Sequence, residues 1–168
     1  EVSGFPGICR VHRAEIVALQ GGWDRAEEEL RKATTELAAF AAAPPMSDGL
    51  YAIAEIRRLK GDTAGAEEAL REAHALGHSP QPALALVRLG EGKVSAAKSS
   101  IEGALREPNP DRWARGRLLA AHVEIAIAAG AVADARAAAD ELVQATEGYA
   151  SPALEAGRHD AIGRVLLA

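Results

Sequence analysis

Apolar positions along the chain follow helical spacing, and nothing alternates with a period of two over a useful length, so the pattern predicts helices and no strands. Punctuation sets their limits. "APPMSDG" (43–49), "GHSPQP" (77–82), "EPNPD" (107–111) and "YASP" (149–152) each break an apolar run with proline or glycine. In the second of these, Ser79 reads as a cap and Pro80 as the first helical residue. The result is about nine helices, near 5–20, 24–42, 47–60, 63–77, 80–90, 94–106, 110–129, 132–147 and 152–168.

The helices are not independent. "GGWDRAEEELRKA" (21–33) returns as "GDTAGAEEALREA" (61–73), then as "GKVSAAKSSIEGA" (92–104), and more faintly as "GAVADARAAADEL" (130–142). The frame is a glycine, an alanine five residues later (Ala26, Ala66, Ala97, Ala135) and a large apolar residue four beyond that (Leu30, Leu70, Ile101). Its glycines fall at 21, 61, 92 and 130, spaced 40, 31 and 38 apart. Such a glycine ends one helix in the left-handed conformation, which it adopts without a Cβ penalty, and the next residues turn the chain into a second helix. Asp24 with Glu27 has the spacing of a capping box, and Asp62 is a good cap in the second copy. The alanine then lies where two helices cross closely. Each repeat thus reads helix, tight turn, helix.

Spacings around 34 residues with this frame resemble the tetratricopeptide repeat. Ala14, Ala54 and Ala85 match that family's small residue in the first helix. The departures are a displaced repeat-end proline, loops of variable length, and Ala139 where the fourth copy should be large. The resemblance implies an all-α fold, a right-handed α-solenoid of antiparallel helix pairs. Residues 1–168 would form a single helical-repeat domain with repeats near 5–43, 47–77, 80–107 and 110–148 and a half repeat at 152–168. A narrower resemblance is carried by "CRVHRAEIVALQGGWDRAEEELRKA", by "HVEIAIAAGAVADARAAADEL" and above all by "GHSPQPALALVRLGEGKV". These segments look like the repeat region of LuxR-type bacterial transcription regulators. In that family a helix-turn-helix binds DNA beyond the repeats.

Charge and composition agree with an interaction module. A net charge of −5 and no basic stripe argue against direct nucleic-acid binding by these residues. The 39 alanines build a core of small side chains that lets helices approach, and 15 arginines against 4 lysines point to a GC-rich genome. No apolar run is long enough for a membrane span, and a cytoplasmic setting fits the single cysteine. The chain begins at Glu1 and ends within "AIGRVLLA", so it is expected to be part of something longer.

Candidate chemistry is sparse. His74 and His78 share a helix face but sit at a helix end, where a cation complements the dipole, and lack further ligands beside them. His12, His122 and His159 stand singly, as packing or surface residues. Cys9, flanked by Ile8 and Val11, is expected to be a buried, inert thiol. Glu27–Glu29 suit the positive end of a helix. No nucleotide-binding, metalloprotease or hydrolase motif occurs, so neither catalytic residue, metal nor cofactor is expected.

One row survives. Six residues before the repeat glycine stand Glu15, Glu55 and Glu124, each followed by isoleucine, with Leu86 breaking the row in the third repeat. First helices of such a stack line its concave side, and Tyr51, Arg58 and Arg117 fall near the same surface by offset counting. The row is either a binding groove for a peptide or small ligand, or a set of ion pairs to arginines on neighbouring helices (Arg13, Arg57 and Arg58 being available), and the second is favoured. The expected function is a non-catalytic protein- or ligand-binding domain of a LuxR-type regulator. The alternatives are a free-standing adaptor or the regulatory repeats of a cyclase or kinase. The apolar last helix, with Leu154, Ile162, Val165, Leu166 and Leu167, is expected to mediate self-association.

Overall fold

A computed structural model describes residues 5–108, 111–149 and 151–168. Among them are nine helices and no strands: α1 (Phe5–Leu19), α2 (Trp23–Ala38), α3 (Ala43–Leu59), α4 (Thr63–Ala75), α5 (Ala83–Gly90), α6 (Val94–Arg106), α7 (Arg112–Ala128), α8 (Val132–Ala145) and α9 (Pro152–Leu167). The chain divides into two compact units, Glu1–Ala83 and Leu84–Ala168, so the division falls between the second and third copies of the frame.

The starts of α3 and α5 differ most from expectation, each for a reason of proline chemistry. Helix α3 begins at Ala43, because Pro44 and Pro45 fit inside its first turn, where an amide has no intrahelical partner to lose. Helix α5 begins only at Ala83. Pro82 disfavours the helical conformation at Gln81, so Pro80 cannot open the helix. Ser79 caps a turn instead, accepting from the Gln81 amide at 3.3 Å. The capping box at Asp24 is also absent. The N-cap of α2 is Gly22, with no side-chain cap bond, and the Asp24 carboxylate is taken by Lys60 at 2.6 Å. Asp62 does cap α4, accepting from the Gly65 amide at 2.9 Å.

The frame glycines act alike. Gly21, Gly61, Gly92 and Gly130 have φ of 84°, 82°, 75° and 70°. Each closes its helix with the same pair of backbone bonds: at Gly61 these are Gly61 N–H to the Arg58 carbonyl (3.0 Å) and Asp62 N–H to the Arg57 carbonyl (2.9 Å). This is the Schellman closure, repeated four times. A Cβ at Gly61 would meet nothing within 4 Å, so only the backbone conformation opposes a side chain there. Gly61→Ala is therefore expected to cost about 1–2 kcal/mol. Gly157, inside α9 and equally open, should behave oppositely, Gly157→Ala gaining about 0.5–1 kcal/mol. Urea unfolding of the two variants reads both signs.

In unit 1, α1 packs on α2 and α3, α2 on α3, and α3 on α4. Its core is built from Val11, Ala14, Ala26, Leu30, Ala33, Leu37, Ile53, Ala54, Ile56, Ala66, Leu70 and Ala73, all buried. In unit 2 one cluster joins Ala85, Ala97, Ile101, Leu118, Ala121 and Ile125 across α5, α6 and α7. A second joins Leu119, Val123, Ala135, Ala138, Ala139, Leu142, Ala161 and Val165 across α7, α8 and α9. Every frame alanine is fully buried. In the fourth copy the small Ala139 is packed among Leu119, Leu142 and Val165. Helix α9 turns Ala161 and Val165 inward and leaves Ile162, Leu166 and Leu167 exposed.

Candidate functional site

The row of first-helix residues divides between the units. Glu15, Tyr51, Glu55 and Arg58 belong to unit 1, Arg117 and Glu124 to unit 2. Glu15 on α1 is exposed, and Glu55 holds the equivalent place on α3, which packs against α1. Glu55 accepts from Arg58 Nη2 at 2.9 Å within its own helix. Its other oxygen and Arg58 Nε are buried without a hydrogen bond. Arg117 on α7 is exposed, and Glu124 is half-buried, 3.9 Å from Arg164 on α9 beside an open depression of about 240 Å³. Tyr51 offers almost no surface. It is buried at 5% exposure, its ring stacks on His78 at 4.5 Å, and its hydroxyl accepts from the Ala83 amide at 3.3 Å.

Arg13 and Arg57, the arginines available to this row, have other partners. Arg13 reaches Glu29 at 2.8 Å and Arg57 reaches Glu27 at 3.0 Å, both on α2. Helix α2 thus carries the densest electrostatics of unit 1. Glu27 is 8% exposed and accepts from Arg57 Nε, from Arg31 Nη2 at 2.8 Å and from Lys60 Nζ at 3.4 Å. Burial works to raise its pKa, but these three cations outweigh burial and hold it below the usual value. Glu29 is shared by Arg10 at 2.9 Å and Arg13, and Arg10 also reaches Glu36 at 3.1 Å. The Arg10 hydrogen bond chiefly lowers the Glu29 pKa. Glu27 and Glu29 therefore form a tertiary clamp tying α2 to α3 and α1, while Glu28 pairs with Lys32 within α2. The signal for Glu27 was faint: it lies six residues after one frame glycine, and Arg57 four before the next.

Unit 2 has a counterpart. Arg115 on α7 donates from Nε to Glu141 on α8 at 2.7 Å and from Nη1 to the Leu105 carbonyl of α6 at 3.2 Å. Lys98 on α6 reaches Asp134 on α8 at 2.9 Å. That bond lowers the Asp134 pKa and raises that of Lys98.

Cys9 is exposed, contrary to expectation. The buried stripe of α1 runs through Gly7, Val11 and Ala14, and a residue two past Gly7 points to the opposite side. Among the described residues no three His, Cys, Asp or Glu side chains gather as a metal site. No helix among them is long and apolar enough to cross a membrane. His12 and His159 are exposed.

His122 on α7 is half-buried, its Nε2 enclosed without a hydrogen-bond partner. Burial pushes its pKa below the ordinary 6.5, against the pull of Glu102 and Asp134. A base with a lowered folded pKa stays neutral in the fold while the unfolded chain takes up a proton first, so stability falls as pH drops below the unfolded value. His122→Gln is expected to flatten that fall between about pH 7 and pH 5, measured by urea midpoints across the range. An unchanged slope would mean that the ring is not paying for its burial.

No protein-family model, no curated protein and no solved structure matches the chain.

Proposed function

We propose that the chain is a non-catalytic interaction module, a right-handed tetratricopeptide-like solenoid serving as the sensing or partner-binding part of a LuxR-type transcription regulator. The observation that carries the repeat reading is the frame itself. Four glycines share one left-handed geometry, and the alanine five residues after each is fully buried. Equivalent local closures repeated at this spacing are how helical-repeat proteins stack like units and present extended surfaces to partners. The regulator reading rests on the segments quoted from the sequence, and the acidic balance supports a role away from DNA. In unit 1 the partner-facing row would be Glu15, Glu55 and Arg58, and in unit 2 Arg117 and Glu124.

The test uses the whole gene product. The full protein should retain its own promoter DNA in a gel shift, and a version lacking residues 1–168 should keep that retention but lose its response to inducing conditions. Residues 1–168 alone should give no shift at micromolar concentration and physiological salt. A salt-sensitive shift by residues 1–168, or a cyclase or kinase domain in the rest of the protein, would overturn the reading.

A further inference from the structure

We draw no further inference here: the strongest candidate, the outward face of α9 on which Ile162, Leu166 and Leu167 lie exposed beside the depression lined by Glu124, Ile127 and Arg164, carries none because nothing in the structure shows what covers it.

Discussion

Leu30→Ala should lower the unfolding free energy of unit 1 by about 3 kcal/mol, within the range for a fully enclosed leucine whose surroundings relax only partly. Leu30 has no exposed surface and sits in the frame position shared with Leu70 and Ile101. The core of unit 1 is rich in fully buried alanines, Ala14, Ala26 and Ala33 among them, and alanine has no rotamers with which to fill a void. The reverse change at the fourth copy, Ala139→Leu, should also destabilise, by about 1–3 kcal/mol, because it adds volume to a buried cluster that already holds Leu119, Leu142 and Val165. Urea unfolding followed by circular dichroism measures both. A loss under about 1 kcal/mol for Leu30→Ala would show that the site collapses freely and that the frame does not define a tight core.

The fold was legible where local chemistry decides it. Glycines at 21, 61, 92 and 130 announce helix ends because no other residue takes that φ without strain, and Asp62 announces a start because its carboxylate serves a nearby amide. The frame alanines and their large partners could be placed in the core from register alone. What escaped was whatever depends on which helix lies opposite. Arg57 looked available to a first-helix glutamate but meets Glu27 of α2, and only the packing of α3 on α2 could reveal that. Cys9 is exposed because its apolar neighbours in sequence are not its neighbours on the helix surface. Offset counting places Tyr51 near an open face. The segment after α4 folds back over it, and the course of a loop with two prolines is not written in helical periodicity.

Glu27→Gln carries the second large expected effect, about 2–3 kcal/mol, because three cationic groups converge on one nearly buried carboxylate and would lose its charge together. Glutamine preserves the shape, so the loss reports electrostatics and hydrogen bonding rather than a cavity. The Arg57 guanidinium, itself largely buried and also bonded to the Gly65 carbonyl at 2.9 Å, would keep one acceptor and lose its counter-ion. The pH dependence separates this from a packing fault. With the folded pKa of Glu27 depressed, the stability it contributes is present above the unfolded carboxylate value and disappears as pH falls through the folded one. Wild type and Glu27→Gln should therefore differ most near neutrality and converge on acidification. Glu28→Gln, at an exposed position whose ion pair is with Lys32 one turn along, should do far less at any pH. Should Glu27→Gln prove as mild as Glu28→Gln, water rather than Glu27 must be compensating Arg57, and α2 would be held to α3 by its alanine and leucine stripe alone.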